Sequence, residues 1–77
     1  MSFIDIGFGN IVNKERIITV VSPDSSPVKR TIGLAKENGM LIDASCGKST
    51  KSVVIMDSGH VILSSMEIAL LNLERCN

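Results

Sequence analysis

The sequence has no tryptophan and no tyrosine, and its only aromatic side chains of that kind are Phe3 and Phe8. Its core must therefore be aliphatic, drawn from Ile, Val, Leu and Met within a hydrophobic total of 44%. Cysteine is scarce as well. Cys46 and Cys76 are too few and too far apart for a disulfide framework. One histidine, His60, with those two cysteines gives no recognisable metal-ligand cluster, so no metal or cofactor is expected. No run approaches the roughly 18 apolar residues that a membrane-spanning helix needs. The N-terminal Met1-Ser2-Phe3-Ile4-Asp5 lacks a basic segment leading into a long apolar one, so no secretory leader is expected. A reducing, cytoplasmic setting without a membrane partner follows as the expectation.

Net charge is missing too: eight Lys plus Arg balance eight Asp plus Glu. A neutral total disfavours indiscriminate polyanion binding but leaves local patches open. With 77 residues, one domain spanning residues 1–77 is the limit. A monomer of this size buries only about 60% of the surface its unfolded chain exposes. So much aliphatic surface on so short a chain favours self-association.

What is present is mostly strand. Phe3-Ile4-Asp5-Ile6 reads as a short strand, and Gly7-Phe8-Gly9-Asn10 as a turn or bulge. Ile11-Val12 resumes the extended chain, and Asn13-Lys14-Glu15 is a polar turn. Residues 16–21 are almost wholly β-branched, the strongest strand signal here. Ser26 before Pro27 predicts a helix start, and Gly39 predicts its end after Asn38. Val28, Ile32 and Ala35 share one helical face. Residues 40–45, 52–57 and 60–64 read as extended, with Ser58-Gly59 as a hairpin turn. Residues 66–75 predict a second helix, with Ser64 and Glu67 at capping-box spacing. It is apolar nearly all round, which predicts a subunit contact over residues 64–77. The predicted fold is a small α+β domain, order β-β-α-β-β-β-α, with a mainly antiparallel sheet.

One short tip stands out: Cys46-Gly47-Lys48-Ser49-Thr50-Lys51-Ser52 is basic and holds no acid. Gly47-Lys48-Ser49 imitates the end of a nucleotide-binding loop. That loop needs a glycine where Ile42 stands, and a helix where a β-branched strand follows. Gly7-x-Gly9 lacks the third glycine of a dinucleotide fingerprint. Cys46 and His60, with Asp57 or Asp43 as orienter, have the residue types of a nucleophile and its base. The plainer reading is a strand-end cysteine and a hairpin histidine, so no enzyme and no small-molecule substrate is expected. The basic groups remain. Their plain reading is a solvated loop and a solvated helix face; their functional reading is phosphate contact. Lys48 and Lys51 alternate with Ser49 and Thr50, whose hydroxyls also donate to phosphate oxygens. Lys29 and Arg30 lie off the apolar helix face. Neither phenylalanine falls in this basic stretch of sequence, which disfavours single-stranded recognition by stacking.

Several segments resemble the RemA family, the bacterial regulators of biofilm matrix genes. They are Ile6-Gly7-Phe8-Gly9-Asn10-Ile11-Val12, Val21-Ser22-Pro23-Asp24-Ser25-Ser26-Pro27-Val28-Lys29-Arg30 and Gly39-Met40-Leu41-Ile42-Asp43-Ala44. Val54-Ile55-Met56-Asp57-Ser58-Gly59-His60-Val61-Ile62-Leu63-Ser64 completes the collinear match. The resemblance implies a DNA-binding transcriptional regulator that closes into a homo-oligomeric ring, with duplex DNA held against its rim. It implies DNA contact by Arg16 and by the tip after Gly47. The family pattern there is Gly-Arg-Arg-Thr-Arg, whereas this chain has Gly47-Lys48-Ser49-Thr50-Lys51. Lysine lacks the bidentate fork of arginine, so phosphate contact survives the change more readily than base readout. The expected contacts are thus Lys48, Ser49, Thr50 and Lys51, then Arg16, Lys29 and Arg30. An RNA-binding ring, and a protein-interaction module that has lost DNA contact at Ser49, stand as alternatives.

Overall fold

The computed structural model describes residues 3–71. The chain forms β1 (Phe3–Gly7), β2 (Asn10–Asn13), a 3-10 turn (Lys14–Arg16) and β3 (Ile17–Val21). Then come α1 (Ser26–Glu37), β4 (Leu41–Asp43), β5 (Ser52–Met56), β6 (Val61–Ser64) and a second 3-10 turn (Ile68–Leu70). This is an α+β domain. A four-stranded sheet, ordered β3-β5-β6-β4, lies between α1 on one face and the β1–β2 hairpin on the other. β5 is antiparallel to both its neighbours, while β4 pairs with β6 in parallel.

The three layers follow from the apolar pattern. β5 reads Ser-Val-Val-Ile-Met, with no polar alternation, so both of its faces need cover. Val53 and Ile55 face α1, where Val28, Ile32 and Ala35 meet them together with Val61 and Leu63. Val54 and Met56 face the hairpin, where Ile4, Ile6 and Val12 pack with Ile62 and Leu71. Truncating Ile6, almost fully buried there, costs about 2–5 kcal/mol by the usual core rule. In β3 the register slips between Ile17 and Thr19, leaving Ile18 as an extra residue, 65% exposed.

Two buried serines fasten outlying segments to the sheet, Ser64 the hairpin and Ser52 the stretch that follows β6. The Ser64 hydroxyl donates to the Ile6 carbonyl at 2.6 Å and accepts the Met66 N–H at 3.1 Å. The Ser52 hydroxyl donates to the Met66 carbonyl at 2.8 Å. Both side chains are fully buried, so these bonds satisfy groups that water cannot reach.

Several expectations are corrected. Three strands precede α1 rather than two, because Gly7-Phe8-Gly9-Asn10 makes a complete reversal and separates β1 from β2. The N-cap is Ser25, not Ser26: Ser25 is extended, and its hydroxyl accepts the Val28 N–H at 3.4 Å. β4 ends at Asp43 rather than at residue 45, because Asp43 Oδ1 accepts the Ser45 N–H and turns the chain. The last predicted helix is not found over residues 66–71, where a bend leads into the short 3-10 turn. The capping box is absent because the Ser64 hydroxyl is spent on Ile6 and Met66. Residues 72–75 of that prediction lie outside the described residues. Among the described residues, no helix is long and apolar enough to cross a membrane.

Candidate functional site

The basic tip is not the turn of a hairpin. It connects β4 to β5, which flank β6, so it must arch over the end of β6. Both of its feet are tied to that strand. The Ala44 N–H donates to the Leu63 carbonyl at 2.9 Å, and the Lys51 N–H donates to the Ser64 carbonyl at 2.8 Å. Within the arch, Cys46 and Gly47 adopt φ of +54° and +81°, and the Lys48 N–H closes on the Ser45 carbonyl at 3.0 Å. That is the φ pattern of a type I′ turn. Asp43 braces it: its Oδ1 accepts both the Ser45 hydroxyl at 2.6 Å and the Ser45 N–H at 3.0 Å. Those bonds, the hydroxyl's first, hold the Asp43 carboxyl below the ordinary aspartate range.

The result is a fixed backbone with free cations. Lys48, Ser49 and Lys51 are exposed and Thr50 is half-buried. Among the described residues neither Lys48 nor Lys51 has a carboxylate partner. Lys29 and Arg30 are exposed on the early turns of α1. β3 runs toward the tip, since Val21 pairs with Val53, so α1 begins at the same end of the sheet.

Arg16 is elsewhere. Its carbonyl accepts the Asp57 N–H at 2.8 Å, beyond the far end of β5. Lys51 and Asp57 bracket that strand, which at about 3.3 Å per residue separates them by roughly 20 Å. Arg16 also spends part of its guanidinium on the Asp57 carboxylate, 3.2 Å away. The expected contacts therefore divide into a group unpaired among the described residues at one end and one paired arginine at the other.

The alternative chemistries come apart. Cys46, an exposed free thiol, lies in the arch at the tip end. His60 lies at the opposite end of β6, its Nδ1 held 2.7 Å from the Ser58 hydroxyl. Asp43 and Asp57 are engaged with Ser45 and Arg16, so neither orients the histidine. Among the described residues no group of three or more His, Cys, Asp or Glu side chains converges on a metal position.

One neighbour of the tip is hidden in the linear sequence. Ile6 is stapled to Ser64, and Ser64 holds Lys51. The turn that follows Ile6, Gly7 to Asn10, therefore sits at the tip end. A Cβ placed on Gly7 would stand 3.5 Å from Met66 Cγ and 3.9 Å from Ser65 Oγ, just past the end of β6. Phe8 caps that turn, 54% exposed and at φ +56°. Such a φ costs a bulky residue about 1–3 kcal/mol. No phenylalanine lies in the basic stretch of sequence, yet the fold brings the Phe8 turn to the same end of β6 as that stretch. The long-range Ser64–Ile6 bond that brings Phe8 there leaves no local signal.

Comparison with known proteins bears on the same residues. The pattern of the family described as RemA-like, extracellular matrix regulatory protein A-like, matches residues 3–73. A protein of Geobacillus kaustophilus is 60% identical over 67 residues, covering 87% of this chain and 77% of its own. One of Carboxydothermus hydrogenoformans is 58% identical over the same shares. One of Synechococcus elongatus is 52% identical over 66 residues, covering 86% of this chain and 76% of its own. Each of the three bears the name "Putative regulatory protein". The match spans every described element of the fold, and the chain belongs to the RemA-like family of regulatory proteins.

Proposed function

We propose that this protein is a DNA-binding transcriptional regulator of the RemA type, acting as a cytoplasmic homo-oligomeric ring whose basic loops contact duplex DNA. The observation that carries the reading is the arch over β6. It presents Lys48 and Lys51 on a backbone fastened at both feet, with no carboxylate partner among the described residues. A pre-set loop loses little entropy on meeting a phosphate backbone, and unpaired lysines release counterions there. Ser49 and Thr50 add hydroxyl donors between them. Lys29 and Arg30 extend the positive surface from the start of α1, and Arg16 is a weaker contact because Asp57 already neutralises it.

Two free lysines per subunit are a small grip. Repetition around a ring multiplies it on one duplex. Support for assembly comes from the aliphatic side chains left in solvent: Ile11, Ile18, Ile42 and Leu70 are all exposed. The family description points to genes of the extracellular matrix as the regulated class.

The test is footprinting on DNA from the protein's own genome, comparing wild type with Lys48→Ala/Lys51→Ala. Protected sites should vanish in the double variant. A wild-type protein that protects no duplex DNA at any salt would remove the reading.

A further inference from the structure

We infer that Phe8 is an apolar contact to the duplex gripped by the basic arch, packing on a sugar face or base step beside the phosphates that Lys48 and Lys51 hold. The inference rests on the DNA-binding reading above and adds a residue of different chemistry to it.

Three observations converge. Phe8 is exposed, although burial is where an aromatic side chain gains most. It holds a left-handed φ that phenylalanine disfavours and that asparagine or glycine would adopt with less strain. The turn is also braced from both sides. The Gly7 N–H donates to Asp5 Oδ1 at 2.7 Å, and Asn10 Nδ2 donates to the Gly7 carbonyl at 3.0 Å. A strained, braced turn that points an aromatic ring into water gains nothing for the isolated subunit.

Location names the partner. The Lys51 N–H bonds to the Ser64 carbonyl, and the Ser64 hydroxyl bonds to the Ile6 carbonyl. Phe8 and the lysines are thus held at one end of the molecule by the two sides of a single residue. A partner drawn to unpaired cations is an anion, and the ring beside them needs an apolar surface next to that charge. Duplex DNA offers both within a few ångströms, since apolar side chains contact sugars or wedge between base steps. The alternative, a second copy of this chain, is an outcome of the test.

The variant Phe8→Asn fits the left-handed φ, so it should fold as well as wild type or better, and thermal melting checks that first. Its affinity for a duplex that the wild type protects should fall about tenfold. The slope of affinity against salt should stay unchanged, because no cation is lost. Phe8→Tyr should retain wild-type affinity. Native mass by light scattering should be the same for all three proteins. Unchanged affinity in Phe8→Asn would overturn the inference. So would a changed native mass, which would place the ring between subunits. If wild type itself bound no duplex, the DNA-binding reading would fail first; if it bound through Lys48 and Lys51 but ignored Phe8, only this inference would fail.

Discussion

Arg16 and Asp57 hold each other twice. The Arg16 guanidinium lies 3.2 Å from the Asp57 carboxylate, and the Arg16 carbonyl accepts the Asp57 N–H at 2.8 Å. The ionic half is exposed on both sides, so it adds little to stability, at most about 1 kcal/mol after solvent screening. Its main effect is on the field outside: a paired arginine presents less net charge than a free lysine. Arg16→Ala should therefore weaken DNA binding less than Lys51→Ala does, by about threefold against about tenfold. Asp57→Asn should strengthen binding, and only while Arg16 is present. A double-mutant cycle read by DNA titration checks both.

Salt dependence measures the arch directly. Each lysine that contacts a phosphate on B-DNA contributes about 0.9 to the slope of log affinity against log salt. Lys48→Ala and Lys51→Ala should each flatten the slope by about that amount per contacting subunit. Ser49→Arg should steepen it. A flat wild-type response would show that phosphates are not the ligand.

Ser64 connects the sheet, the hairpin and the arch. Ser64→Ala leaves the Ile6 carbonyl and the Met66 N–H without the hydroxyl that satisfies them. The expected loss is about 1–3 kcal/mol, read by chemical denaturation. Protection of the Ile6–Asn10 backbone against hydrogen exchange should fall more than that of β5, because the staple holds the hairpin layer.

The arch should loosen in acid. Hydrogen bonds from Ser45 lower the Asp43 pKa in the folded protein. A lowered carboxylate pKa gives a stabilisation that is fully present above the unfolded value, about 3.9. It is lost as pH falls through the folded value. The Ser45 and Lys48 amide signals should hence shift in the acid range below ordinary aspartate titration, and not near neutrality. In Ser45→Ala the Asp43 carboxyl should titrate at a higher pH than in wild type. Carboxyl-carbon NMR resolves it.

Adjacent leucines separate folding from assembly. Leu71 is buried against Ile4 and Ile6, whereas Leu70 is exposed. Leu71→Asp should unfold the domain. Leu70→Asp should leave the melting transition near wild type and lower the native mass. A Leu70→Asp protein of unchanged mass would take that side chain out of the subunit contact.

The strands were readable because their sequences are. Residues 17–21 are β-branched throughout and residues 53–56 are apolar throughout, and few other conformations suit them. The helix was readable from Ser25-Ser26-Pro27 and from the Val28, Ile32, Ala35 face, with the cap misplaced by one of two equivalent serines. The unpaired lysines were readable from the absence of acids around them. Strand order was not. Nothing local tells that β6 runs between β4 and β5, so the sequence shows a basic tip between two strands but not that it arches over a third. Arg16 read as a companion of the tip, although β5 holds the two apart. Phe8 read as remote, although Ser64 brings it in through a bond spanning 58 positions.

The arch over β6 carries two exposed lysines without a carboxylate partner among the described residues, but contributes little to the hydrophobic core, with Ala44 alone among its residues joining the buried cluster. On the proposed reading, grip and fold are consequently separate traits in this molecule. Lys48, Ser49 and Lys51 are exposed, so exchange among lysine, serine and arginine there should cost little stability. A lineage can then retune how tightly each subunit holds its partner while inheriting the scaffold intact, and copies that diverge only there could occupy different sites on the same genome.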